Sequence, residues 1–504
     1  MDAPQRRSSW LGTSWIMLTD IVGTSVLTFA GVARQLGWVL TIVFIIGLST
    51  VSVYTAVLMS RTRSILARTQ DGKDPHSMGE ASRLTLGSER VATAVTAVVY
   101  GYAFLGQSSY ILVLGQSLQG FFWEHNLCLP TATAAACLLC IPVAISVRTL
   151  ADSTALCLAN LFLILAVLGI VMSNMMAEGR PADVNTYLFA PDLTLVTALG
   201  AMGNVVYAYC GHWLYFELMA EMKEPEQFPK VFLINGPLQV GLYLLVACWG
   251  YYYAGDKAEG YFLDNLPNGE AYRWASLLLF FHVAIAFMVK NIVLTRFVHS
   301  HLSPSRSGIF FSQPGGGRAQ AEYASCSVFL LCISFFVANA IPFFSDLLGL
   351  IGALLSGPIS FLLPMAFLVG CIGKDRFQAP EVESGSPWPG SCQLVSVQAQ
   401  GSESGGSRAV QQDDAEAGQS AAKKWLRSLG GLARIDRVLC SVIVCLTITT
   451  MVLGTSDTVQ DIVRNISTYG APFSCQAAHR SDIRGAAPPT SAQQTSDFSF
   501  WPWA

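Results

Sequence analysis

SWIMLTDIVGTSVLTFAGVARQLGW, residues Ser14 to Trp38, is long enough to cross a bilayer, yet it carries a carboxylate at Asp20 and small or polar residues from Gly23 to Ser25. A bilayer crossing takes about 20 apolar residues. A carboxylate at its centre costs about 2.5 to 3.5 kcal/mol, and glycine is among the poorest helix formers. Both faults at one depth predict a helix broken in mid-membrane. Irregular backbone survives there only where it is buried in protein or lines a watery cavity, and paired broken helices are the usual binding place in a transporter. The competing reading is a continuous helix in which Asp20 and Thr24 merely hydrogen-bond to neighbours and the small residues serve packing.

The whole chain supports a membrane protein. Of its 504 residues, 52% are hydrophobic and 12% charged, against about 25% charged in soluble domains. The net charge of −3 says little, because orientation depends on where Lys and Arg lie. No cleavable signal peptide is expected, since the first apolar run is too long and Gln-Leu-Gly-Trp follows it. Most cysteines, such as Cys137, Cys140, Cys248, Cys440 and Cys445, sit inside apolar runs and read as small packing residues.

Taken in order, the chain predicts eleven spans. A cytoplasmic tail (1–13) precedes a ten-helix core (14–373). The sixth span, about Leu195 to Ala220, is interrupted by Gly203, Asn204 and the pair Gly211-His212. The ninth ends at Ile341-Pro342, where proline favours a break. A polar linker (374–434), too poor in apolar residues to fold alone, leads to an eleventh helix (435–455) and a tail (456–504) expected to be unstructured. Within the linker, Trp425, Leu426, Leu429 and Leu432 stand at helical spacing among basic residues, the pattern of an interfacial helix. With the N-terminus in the cytoplasm, 22 Lys and Arg fall in cytoplasmic segments, 7 outside, and Lys290 within the membrane, so the positive-inside rule selects that orientation. The interrupted spans, first and sixth, lie five apart. Two copies of a five-helix unit at that spacing face opposite ways, which is an inverted repeat.

Four stretches carry a family resemblance. DIVGTSVLTFAGVARQLGW resembles, without a gap, the first-span signature of the amino acid/auxin permease family. VYAYCGHWLYFELMAEMKEPEQFPK (Val206 to Lys230), IPFFSDLLGLIGALLSGPISFLLP (Ile341 to Pro364) and YILVLGQSLQGFF (Tyr110 to Phe122) are similar to its later motifs, the last to a pattern of its plant lysine/histidine-type members. The resemblance covers residues 10 to 372. It implies an all-α, LeuT-type fold with an inverted five-helix repeat plus one extra helix, and cation-coupled uptake of amino acids. Three positions depart from the family pattern: Ser25 replaces a usual glycine, Asp20 a usual small residue, and the eighth span gains Lys290 where its motif ends in a hydroxyl.

A free amino acid presents a carboxylate, an ammonium and a side chain. The carboxylate suits the backbone N–H groups of Gly23, Thr24 and Ser25 at a half-helix N-terminus. The ammonium suits carbonyls of the unwound backbone from Tyr207 through Ala208 to Gly211. Tyr207, Tyr209 and Tyr110 are candidates to shape the pocket, each with an alternative as a packing aromatic. For cation coupling the candidates are Thr19, Asp20, Glu217, Lys290 and His212. Intramembrane charges are functional candidates by default, although Glu217 has an alternative as a partner of Lys223. His212 belongs to the residue type whose charge changes near neutral pH, with a structural hydrogen bond as its alternative. Lys290 lies six residues before Arg296, roughly 9 Å of helix, and has snorkelling to the inner surface as its alternative. The LeuT-type fold that the resemblance implies sets the first and eighth spans face to face across a cation site, so Asp20 and Lys290 are expected to pair there, with the ammonium in the place of a bound sodium ion.

The leading reading is a proton-coupled amino acid symporter in a plasma or vacuolar membrane, with sodium coupling left open. An auxin or other small carboxylate carrier and an amino acid transceptor are the alternatives. No enzyme motif, metal cluster, cofactor site or nucleic-acid-binding pattern is read in the chain, and the expected partners are an amino acid substrate and the bilayer.

Overall fold

The computed structural model describes residues 8–69, 74–147, 150, 154–304, 317–378, 434–469 and 471–475. Among them the only β pairing is an isolated bridge between Ser8 and Met222. The helices are α1 (Trp10–Ile21), α2 (Phe29–Thr69), α3 (Met78–Leu86), α4 (Glu89–Phe121), α5 (Leu129–Ser146), α6 (Thr154–Glu178), α7 (Leu195–Ala208), α8 (Tyr215–Glu221), α9 (Phe232–Ala254), α10 (Glu270–Leu302), α11 (Gly317–Ala340), α12 (Phe344–Ile351), α13 (Leu363–Gln378), α14 (Arg434–Thr449) and α15 (Thr455–Tyr469). Nine described stretches are long and apolar enough to cross a membrane. The first of them, Trp10–Arg68, holds two spans, and the interrupted pair α7 and α8 is a further crossing. Among the described residues this gives the eleven spans of an all-α, multi-pass membrane protein, in order α1, α2, α4, α5, α6, α7 with α8, α9, α10, α11, α12 with α13, and α14 with α15.

The turn between the first two spans needs a glycine. Gly37 has φ +78°, and a Cβ there would lie 2.7 Å from the Leu188 carbonyl oxygen. That closeness lets Trp38 and Val39 donate backbone hydrogen bonds to Tyr187 and Leu188, at 3.1 Å each, so the hairpin of spans one and two grips the connection before α7. The connection between α2 and α4 contains α3. Its start is held by Ser77, whose hydroxyl accepts from the Glu80 N–H at 3.2 Å, and its end by left-handed Gly87.

The sixth span corrects one expectation. Gly203 and Asn204 do not interrupt it, because α7 runs on to Ala208 and the chain unwinds only at Tyr209 to Gly211. Gly203 is there for a close crossing: a Cβ on the facing Gly352 of the tenth span would meet the Gly203 carbonyl oxygen at 1.9 Å. Small residues let membrane helices approach this closely.

The far end of the chain corrects a second. The helix expected to stop at residue 455 continues as α15 to Tyr469, because this extension packs against α7 and α12. Asn465, which begins an Asn-Ile-Ser glycosylation pattern, donates from its side-chain nitrogen to the Asp346 carboxylate, so the atom a glycan would need is engaged. Phe473 packs against Phe335 and Phe336, and Cys475 forms a disulfide with Cys128, 347 residues earlier. The packing role expected of cysteines inside apolar runs does not extend to these two, which lie outside the spans. The interfacial pattern at Trp425 to Leu432, most of the linker and the rest of the tail lie outside the described residues.

The disulfide makes a direct prediction. With a protease site inserted between residues 379 and 433, the two fragments should migrate together in detergent gels without reductant and separate with it. Cys128→Ser should separate them in both lanes. Separation of the wild-type fragments without reductant would show that the bridge is absent.

Candidate functional site

The first span is broken where the sequence expects it. α1 ends at Ile21, residues 22–24 are non-helical, and a short 3-10 turn (Ser25–Thr28) leads into α2. The N–H groups of Gly23, Thr24 and Ser25 make no hydrogen bond among the described residues, and the buried Thr24 hydroxyl has no partner. Buried donors of this kind carry a cost unless something accepts from them. They form a ready site for an anion.

Asp20 occupies the last turn of α1 beside this gap. Its Oδ1 lies 2.6 Å from the Lys290 ammonium, with both side chains only 2% exposed. Its Oδ2 accepts from the Trp213 indole N–H at 2.8 Å. Lys290 therefore reaches across to the first span and does not snorkel inward; Arg296, six residues on, pairs with Glu221 at 2.8 Å. The ammonium faces the rings of Trp213, Tyr110 and Tyr102 at 4.6, 5.3 and 5.5 Å. A desolvated cation over aromatic faces gains about 2 kcal/mol or more. A carboxylate, itself held by the Trp213 N–H, and three aromatic faces thus enclose one ammonium group.

The unwound stretch of the sixth span is filled by hydroxyls. Tyr243 donates to the Ala208 carbonyl at 3.0 Å, Ser52 to that of Tyr209 at 3.2 Å, and Tyr102 to that of Cys210 at 3.1 Å. On the first span, Tyr110 donates to the Asp20 carbonyl at 3.1 Å, and the single Tyr243 proton is shared with the Ile21 carbonyl, 3.1 Å from its oxygen. Tyr110 and Tyr243 thereby brace the first break, and Tyr243 ties it to the second. The Tyr215 hydroxyl is buried without a partner, 2.8 Å from where a Cβ on Gly211 would stand. Gly211 must therefore stay small.

The remaining candidates separate by position. Tyr207 lies in the cluster: its hydroxyl is 3.3 Å, and Lys290 Cε 3.0 Å, from where a Cβ on Gly106 would sit. Thr19 points to the fifth span and donates to the Cys157 carbonyl at 3.1 Å. Tyr209 turns the other way, donating to the Ile45 carbonyl at 2.9 Å. His212 also faces the second span, with Nε2 2.9 Å from the Thr55 hydroxyl and 3.2 Å from the Ser52 carbonyl, which is its structural alternative. Glu217 accepts from the Tyr100 hydroxyl at 3.4 Å, a neutral partner in place of the Lys223 its alternative named.

Sequence reasoning missed Tyr102, Gly106, Trp213, Tyr243 and the role of His282, whose Nε2 lies 3.3 Å from the Gly23 carbonyl. One signal was available. Tyr102, Gly106 and Tyr110 stand at i, i+4 and i+8 of one helix and share a face. Trp213 carried none, since its direction depends on the irregular turn that holds it.

The sequence matches the profile of the family described as transmembrane amino acid transporter protein over residues 6–383. Among curated relatives, the amino acid transporter ANT1 of Arabidopsis thaliana is 22% identical, the match covering 73% of this chain and 86% of that protein. The N amino acid transport system protein of Neurospora crassa is 23% identical over 71% of this chain and 75% of its own. Among solved structures, MhsT in complex with L-phenylalanine aligns with a TM-score of 0.43 at 12% identity, covering 73% of this chain and 96% of that one. A manganese transporter of Eremococcus coleocola aligns at 0.46 and 11%, covering 92% and 99%. The profile match spans most of the chain, including both broken spans and the eighth, and the chain belongs to the transmembrane amino acid transporter protein family.

Proposed function

We propose that this chain is a secondary active transporter that carries amino acids across a membrane in symport with protons, its N-terminus in the cytoplasm. The observation that carries the reading is the buried Asp20–Lys290 pair beside the free N–H groups of Gly23 to Ser25. The substrate carboxylate binds those donors, and the ammonium of Lys290 supplies a fixed positive charge beside them. In this reading the buried pair is the point at which proton movement is linked to the transport cycle. Family membership supports the amino acid, and the two charges the family pattern lacks support the proton.

Uptake of labelled amino acids into proteoliposomes tests this. Saturable accumulation driven by an imposed pH gradient, without sodium, is the expected result. Accumulation that requires sodium and ignores the pH gradient overturns the coupling, and no accumulation under either gradient overturns the transport reading. A small-carboxylate carrier is the second reading, favoured by the unpaired N–H groups of Gly23 to Ser25 and the unpartnered Thr24 hydroxyl.

A further inference from the structure

An amino acid is recognised at two ends, by donors for its carboxylate and by acceptors or aromatic faces for its ammonium. This site offers the two in unequal supply. The N–H groups of Gly23, Thr24 and Ser25 and the Thr24 hydroxyl are unused. Of the groups suited to an ammonium, the hydroxyls of Tyr207 and Tyr215 have no partner, whereas the carboxylate, the unwound carbonyls and the aromatic faces are engaged. Asp20 accepts from Lys290 and Trp213 through separate oxygens, and the carbonyls of Ala208, Tyr209 and Cys210 each take a side-chain hydroxyl. The rings of Tyr102, Tyr110 and Trp213 face the Lys290 ammonium at 4.6 to 5.5 Å. A carboxylate ringed by aromatic faces is the chemistry that recognises an alkylammonium. Here the alkylammonium belongs to the protein.

We propose that Lys290 occupies the substrate-ammonium subsite as a tethered internal ligand, so that the site takes small monocarboxylates, amino acids among them, with little preference for an α-ammonium. The inference rests on the reading of this cluster as the substrate site. A substrate ammonium gains Asp20 and the three rings only by displacing Lys290, which forfeits the same contacts, so the exchange is nearly balanced. The α-carboxylate meets no such competitor. Lys290 is then the residue that sets amine specificity.

Gly106 supports the arrangement from the third span. A Cβ there would lie 3.0 Å from Lys290 Cε, tighter than an ordinary contact, so Gly106→Ala presses on the stem of the lysine while leaving both charges in place.

The test uses the purified full chain and three matched ligand pairs: alanine with propionate, leucine with 4-methylpentanoate, phenylalanine with 3-phenylpropionate. In the wild type, whichever pair binds should show affinities within about tenfold of each other, because the cage is already filled. In Lys290→Met the ratio should move toward the amino acid by about tenfold or more, since Asp20 and the rings become available to its ammonium. Gly106→Ala should move it in the same direction by less, and keeps the proposal testable if Lys290→Met does not fold. A wild type that prefers the amino acid by a hundredfold or more, or a ratio unchanged in both variants, overturns the inference and leaves the transport reading standing. If no carboxylate of either kind binds the wild type, the substrate-site reading falls first and this inference with it.

Discussion

Lys290→Met is expected to abolish accumulation driven by a pH gradient, while exchange of substrate at equal pH on both sides partly survives. The pair it breaks is buried, with an N–O distance of 2.6 Å. Removing one partner of such a pair strands the other charge, at a cost of about 3 to 5 kcal/mol, whereas replacing both partners is often neutral or stabilising. Asp20→Asn should weaken the same coupling. The double variant Asp20→Asn/Lys290→Met should recover much of the lost stability without recovering the coupling, because the two residues act as one unit. Thermal stability and gradient-driven uptake, measured on the same four preparations, separate the two effects. The mechanism fails if Lys290→Met accumulates substrate with unchanged proton dependence. It fails equally if the double variant regains coupling along with stability.

Gly352→Ala should be the most damaging single methyl group in the tenth span. The added Cβ would stand 1.9 Å from the Gly203 carbonyl oxygen and 2.6 Å from its carbon. Both are backbone atoms, so relief requires the sixth and tenth spans to move apart, and overpacking of this kind costs about 1 to 3 kcal/mol, occasionally more. The same Cβ would lie 3.1 Å from Tyr207 Cβ, so the shift reaches the ammonium cluster. Gly169→Ala is the control: nothing lies within 4 Å of the new atom, and alanine favours a helix interior by about 1 kcal/mol over glycine. Melting of the purified proteins in one detergent gives the comparison. A Gly352→Ala protein as stable as Gly169→Ala would show that the close crossing is not formed.

Much of this fold can be read from composition and periodicity, because the bilayer imposes simple demands. Every backbone polar group must be satisfied within the membrane, so long apolar runs can only be helices, and eleven of them follow from the chain. The break after Ile21 was legible for the same reason: Asp20 and Gly23 at one depth make a continuous helix costly. The break in the sixth span was only half legible. Gly203-Asn204 and Gly211-His212 look alike in sequence, yet one is a contact with Gly352 and the other an unwinding. Which of the two a glycine serves depends on the helix that faces it.

The candidate site divides along the same line. Asp20 and Lys290 stood out because a charge in the membrane interior is costly, and the family resemblance set their spans face to face, with snorkelling of Lys290 as the alternative that the structure removes. Sequence alone therefore determined the class of protein, the number of spans, the place of the first break and the two charges that are candidates to pair. Tertiary structure decided what surrounds that pair. It placed the rings of Tyr102, Tyr110 and Trp213 around the ammonium, turned Tyr209 and His212 toward the second span, and tied Cys475 to Cys128. Helical periodicity gives the face a residue occupies on its own helix, but not which neighbour that face meets once helices cross and unwind. At the breaks themselves even the periodicity lapses, and the direction of a side chain such as Trp213 is fixed by packing alone.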